Sequence, residues 1–154
     1  MAEYILHNGL EIELPDVSQL ITEDNEPVNN LPSEKQQRLF TEPIYSNDVI
    51  SRPFLAAANV AIYHQAKRGS AIVPDMMLSL DVTVSDDFWE KQHRAYLTWV
   101  FGKHPEVVME IVSNKKGNEL GTKRDKYARI GVWYYIVYDP HRYIQDEKVI
   151  VYEL

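Results

Sequence analysis

The chain has 154 residues, 45% of them hydrophobic, enough for one buried core and short for two, so a single domain over 1–154 is expected. With no cysteine, disulfides, thiol nucleophiles and thiolate metal sites are excluded, and no apolar run approaches the roughly 20 residues that cross a bilayer. The net charge of -7 opposes phosphate binding over the whole surface, and the opening MAEYILHNGLEIEL lacks a signal peptide's basic flank and apolar core, so a cytoplasmic protein with no membrane partner is expected.

Tyr4–Leu6 and Leu10–Leu14 flank His7-Asn8-Gly9, and Asn-Gly between alternating segments predicts a β-hairpin. Pro15 to Pro32 is polar, acidic and rich in proline, so residues 1–32 read as a hairpin followed by a loop or arm. Ser33 is placed to cap a helix over SEKQQRLFT, and FLAAANVAIYHQ, from Phe54 to Gln65, predicts a second helix ending before Gly69. Strands follow at Ile72–Val84, Tyr96–Val100, Val107–Val112, Val132–Tyr138 and Val149–Tyr152. Val107–Val112 and Val132–Tyr138 are apolar on both faces, which marks central strands. The helix between them, Leu120 to Ile130, stops at Gly131. Strand, helix, strand inside a mixed sheet is an α/β arrangement whose parallel crossover is right-handed.

Two acids stand out in this frame. Asp75 follows Pro74 at the head of an apolar strand, and Glu110 lies inside the run Val-Val-Met-Glu-Ile-Val. An unpaired carboxylate there costs several kcal/mol, so the two together indicate a site. Each also has a plainer reading, Asp75 as a turn acid that starts a strand and Glu110 as half of a buried ion pair. On the following helix, Leu120, Lys123, Tyr127 and Ile130 form one stripe, which sets Lys123 where an apolar residue belongs. A lysine there either snorkels to water or points at Glu110. If the three converge, the carboxylates and some waters form the oxygen shell that Mg2+ or Mn2+ prefers, and the lysine neutralises charge on a phosphate under attack. Asp81 shares strand parity with Asp75 but lies about 20 Å further along the strand, too far to share an ion. The five histidines offer no pair at metal-ligand spacing on one element. Trp89, Trp99 and Trp133 read as core aromatics more than as base-stacking platforms. Lys115, Lys116, Lys123, Arg124, Lys126 and Arg129 against Glu119 and Asp125 give a locally basic segment, either a solvated helix face or a phosphate-binding surface.

The run PEVVMEIVSNKKGNELGTKRDKYARIGVWYYIVYDP from Pro105, with VPDMMLSLDV from Val73, resembles the Uma2 family (DUF820) of restriction-endonuclease-like proteins within the PD-(D/E)xK nuclease superfamily. The likeness spans residues 73–140 strongly and rests on PD, E-[IV]-x-S, K-x-x-x-Y-A-x-x-G-V and Y-x-[IV]-x-D-P. It implies a restriction-endonuclease-like α/β fold with a mixed sheet flanked by helices, a catalytic core over 70–140, and Mg2+-dependent hydrolysis of DNA. In that reading Asp75 and Glu110 hold the metal. The superfamily's acid-x-lysine pair is absent, since Val112 stands two after Glu110, and the resemblance moves the lysine's role to Lys123 on the helix. It also implies a first-helix acid, for which Glu34 is the candidate, and a homodimer. A catalytically inactive DNA-binding or regulatory module, or a structural protein assembled through its aromatic strands, are the rival readings.

Overall fold

The structure, a computed structural model, describes residues 4–7 (backbone alone), 10–18, 20, 31–113 and 119–154. At the N-terminus, β1 (Tyr4–His7) and β2 (Leu10–Glu13) pair antiparallel, with Tyr4 opposite Glu13 and His7 opposite Leu10, and form a sheet of their own. The predicted turn at Asn8-Gly9 and residues 21–30 of the predicted arm lie outside the described residues. Helix α1 (Leu31–Tyr45) covers the first predicted helix but starts earlier, so Ser33 sits in its first turn and does not cap it.

The second predicted helix is not one. Its residues form β3 (Phe54–Ala57) and, after a break, β4 (Ile62–Tyr63). Phe54 and Ala56 are buried while Leu55 and Ala57 are half-buried on the opposite face, a period of two, and Asn59 at φ 55° interrupts any continuous helix. Four alanines raise helix propensity, but propensity is a weak prior, and packing against the adjacent strand and α1 overrides it.

The long strand expected from Ile72 divides into β5 (Ala71–Ile72) and β6 (Met76–Leu80), separated by Val73-Pro74-Asp75. Proline has no N–H to donate, so pairing breaks at Pro74, and the chain passes from the sheet of β5 to that of β6. The strand expected over Tyr96–Val100 is half right: β7 (Tyr96–Leu97) runs directly into a helical turn, α2 (Thr98–Phe101), closed by Gly102 at φ 73°. Then come β8 (Val107–Ile111), α3 (Arg124–Ile130), β9 (Tyr134–Tyr138) and β10 (Val149–Glu153).

These strands form a five-stranded sheet in the order β10-β9-β8-β6-β3 and a smaller one in the order β5-β4-β7. In the large sheet β8 and β9 run parallel, joined through α3, and the other neighbours are antiparallel. The predicted central position of β8 and β9 and their parallel crossover are both seen. One face of this sheet packs Met77, Val108, Val112, Val137 and Tyr135 against Tyr127 and Ile130 of α3. The other packs Phe54, Ala56, Met76, Leu78 and Met109 beneath Phe40 and Ile44 of α1. Each fully buried apolar side chain contributes roughly 1.5–3 kcal/mol, which anchors both helices firmly to the sheet. Two of the three tryptophans are not core: Trp89 and Trp133 are exposed, the first in a loop and the second just before β9.

Candidate active site

The register of two strands brings the acids together. The antiparallel ladder between β6 and β8 ends at Met76 opposite Met109, so Asp75 and Glu110 are the next facing positions. Alternation places Glu110 on the same side as Val108 and Val112, and Asp75 on the side of Met77, which is the face covered by α3. The buried Pro74 leads into Asp75, whose Oδ2 accepts the backbone N–H of Ile111 at 2.7 Å. This carboxylate therefore takes the position of a ladder acceptor where β6 ends. Its Oδ1 accepts a hydrogen bond from the Gln37 amide of α1 at 3.3 Å.

Glu110 is only 3% exposed, and both of its oxygens are engaged: Lys123 Nζ donates to Oε2 at 2.7 Å and the Tyr127 hydroxyl to Oε1 at 2.6 Å. Burial pushes its carboxyl above the usual range, Lys123 and Tyr127 oppose that, and the charge of Asp75 adds to it. For Lys123 burial favours the neutral amine, but the carboxylates of Glu110 and Glu119 outweigh it and hold its ammonium above its ordinary value. Burial and then the charge of Glu110 drive Tyr127 and Tyr135 far above the phenol range, so both remain hydroxyl donors.

The segment before α3 is not the regular helix expected from Leu120. A wider turn spans Glu119–Lys123 and breaks at Gly121 (φ -123°, ψ -105°), and α3 proper begins at Arg124. The inner stripe survives the break, because Leu120 is half-buried and Tyr127 and Ile130 are buried on the sheet. The Tyr135 hydroxyl donates to the Glu119 carbonyl at 2.9 Å and pins this turn to β9. Glu119 is itself buried. Its Oε1 lies 3.4 Å from Lys123 Nζ, and its Oε2 has no partner among the described residues.

Asp75, Glu110 and Lys123 are thus brought to one place, and Lys123 points at Glu110 instead of snorkelling clear. Glu34 makes no bond to them: it is half-buried in α1 and paired with Arg38 at 3.4 Å. The α1 residue that reaches the site is Gln37, one turn further on. Asp81 stands at the other end of β6, with φ 55° and its N–H bonded to the Pro53 carbonyl. Three neighbours were not assigned to the site from the sequence, although Tyr127 was placed on the inner stripe and Glu119 counted among the local charges. Tyr127 and Glu119 each lie four residues from Lys123, a spacing that marks them in retrospect. Gln37, from a distant helix, left no comparable signal. Lys115 and Lys116 of the basic segment lie outside the described residues.

Among the described residues no three Asp, Glu or His side chains cluster tightly enough to form an all-protein metal cage. Asp75 and Glu110 are hard carboxylates whose oxygens keep a lone pair beyond their present hydrogen bonds, which is the donor chemistry a hard divalent cation takes together with waters.

Two facing acids on the strands and an amine from the crossover element are the arrangement that the sequence motifs anticipate, and residues 15–154 match the pattern of Uma2, described as "Putative restriction endonuclease". The chain belongs to the Uma2 family. The fold agrees: the crystal structure of "a putative nuclease belonging to DUF820" from Anabaena variabilis ATCC 29413 superposes with a TM-score of 0.52 at 14% identity, covering 98% of this chain and 76% of that one. That likeness is one of fold. No curated protein matches the chain. Uma2 membership makes this a nuclease-family protein, and among its described residues no helix is long and apolar enough to cross a membrane.

Proposed function

We propose that this chain is a Mg2+- or Mn2+-dependent endonuclease that hydrolyses phosphodiester bonds of DNA, with Asp75 and Glu110 holding the metal and Lys123 facing the phosphate. The observation that carries the reading is the opposition of Asp75 and Glu110 across the end of the β6–β8 ladder with Lys123 Nζ 2.7 Å from Glu110. Asp75 and Glu110 would hold the divalent ion, and the chemistry supplied there would be Lewis-acid activation of a phosphate oxygen and of water. The chain's own groups prepare the place. The Ile111 N–H and Gln37 aim the Asp75 carboxylate, and Tyr127, a positioning residue, holds Glu110 by its other oxygen. Lys123 keeps a proton at Nζ and is 38% exposed, so it can meet a phosphate while compensating the buried acids.

The test is cleavage of supercoiled plasmid by the purified protein with Mg2+, Mn2+ or chelator, beside Asp75→Asn and Lys123→Ala. Cleavage is expected to need the metal, to vanish in Asp75→Asn and to fall roughly 10²–10³-fold in Lys123→Ala. Metal-dependent cleavage that survives both substitutions refutes the assignment. One observation favours a second reading, a DNA-binding or regulatory module without catalysis: both Glu110 oxygens are occupied by Lys123 and Tyr127. Salt-dependent DNA binding with no cleavage under any divalent ion would select it.

A further inference from the structure

Away from the acids, a groove of about 430 Å³ runs between the segment His64–Ile72, which links β4 to β5, and the outer side of α3. Every formally charged side chain that lines it is a cation: Lys67 and Arg68 on one wall, Lys126 and Arg129 on the other. In a chain of net charge -7 this is a marked local reversal. Among the described residues none of the four is in an ion pair, although Glu and Asp outnumber Lys and Arg in the chain by 23 to 16. All four are exposed. Ser70 donates to the carbonyls of Gln65 and Lys67 at 2.8 and 2.6 Å, which ties the wall that carries Lys67 and Arg68 into a defined shape. A concave surface lined by one sign of charge concentrates its field on a ligand of the opposite sign.

The geometry points to this groove as a docking site for the sugar-phosphate backbone of DNA, beside the phosphate that meets Lys123. The assignment rests on the nuclease reading for its ligand and extends it to a surface the acids do not include. Lys126 and Arg129 are three and six residues beyond Lys123, the residue that leads into α3 with helical dihedrals, so about 4.5 and 9 Å further along the α3 axis. Successive phosphates of one strand advance about 3.4 Å along the duplex axis, so phosphates one to three nucleotides from the cleaved one fall within reach of these two cations. Lys67 and Arg68 close on the backbone from the opposite wall. Contacts of this kind position the strand without reading its sequence. Arg124, also on α3, is not part of the site, since its guanidinium lies over the Tyr152 ring at 5.5 Å.

The experiment is fluorescence anisotropy of a labelled DNA duplex in chelator, so that binding is read without cleavage, across a salt series. It compares the wild type, Lys126→Ala/Arg129→Ala, Lys67→Ala/Arg68→Ala and Asp75→Asn. Each groove double variant should bind roughly 10- to 100-fold more weakly at low salt and reduce the log–log salt slope by about 2, while Asp75→Asn, which removes a negative charge, binds no more weakly than the wild type. In parallel, metal-dependent hydrolysis of a p-nitrophenyl ester of thymidine monophosphate, too short to fill the groove, should be unchanged in the groove variants. Unchanged affinity and slope in both groove variants, or no duplex binding by the wild type at low salt, overturns the assignment. So does a mononucleotide that competes as well as the duplex, which would make this a free-ligand pocket. Loss of ester hydrolysis in the wild type, with the groove effects intact, would defeat the nuclease reading and leave the groove standing.

Discussion

Tyr127→Phe removes one oxygen from a fully buried ring whose hydroxyl donates to Glu110 Oε1 at 2.6 Å. The phenyl ring keeps the volume packed against Tyr135, so no cavity opens, and the loss is confined to the hydrogen bond. A hydrogen bond to a charged group contributes about 1.5–3 kcal/mol, and Glu110 at 3% exposure leaves little room for water to replace it. Because the bond favours the charged carboxylate, the same loss moves the Glu110 pKa further in the direction burial already drives it. The sign follows from which form is bonded. Glu110 already titrates above its unfolded value, so its contribution to stability is complete below that unfolded value and is lost as pH rises through the folded one. The missing bond served the charged form, so the deficit of Tyr127→Phe is largest where Glu110 is ionised and shrinks as the group is protonated on acidification. Urea unfolding of both proteins from about pH 4 to about pH 8 reads this directly, and thermal melts at the upper end should show a melting temperature lower by roughly 3 to 12 °C. A deficit that does not vary with pH, or one under about 0.5 kcal/mol throughout, refutes the assignment of Tyr127 as a donor to an ionised Glu110.

Two further changes probe the same element. Lys123→Met strips Glu110 and Glu119 of their shared cation. Breaking a fully buried pair costs about 3–5 kcal/mol, and because Lys123 is 38% exposed the expected loss is smaller, roughly 1–3 kcal/mol. Denaturant midpoints at neutral pH measure it, and part should return at acidic pH as Glu110 takes up a proton. Gly131→Ala should cost about 1–2 kcal/mol in a thermal melt, because Gly131 closes α3 at φ 90° and a Cβ there would meet His104 Nδ1 at 3.2 Å.

Features that depend on residues near one another in the chain were legible before folding. The double-faced apolar runs of β8 and β9, the Gly131 stop of α3, the inner stripe that carries Lys123 and Tyr127, and the exceptional placement of Asp75 and Glu110 all follow from local periodicity and the cost of burying charge. The errors came where distant partners decide. FLAAANVAIYHQ has a helical composition, but its first residues complete a sheet beneath α1, and Tyr96–Val100 turns helical halfway along. Gln37 reaches Asp75 from 38 positions away, and Lys67 and Arg68 face Lys126 and Arg129 across a groove that no linear spacing encodes. Local pattern thus marked the residues that are out of place in an apolar setting and the segments that repeat every second or every third to fourth residue. Strand register, the facing of Asp75 and Glu110, and the meeting of four cations across one groove came from long-range packing. The physical reason is that propensities differ by less than about 1 kcal/mol per residue, so long-range burial and pairing, summed over whole elements, choose among the conformations that local preference leaves open.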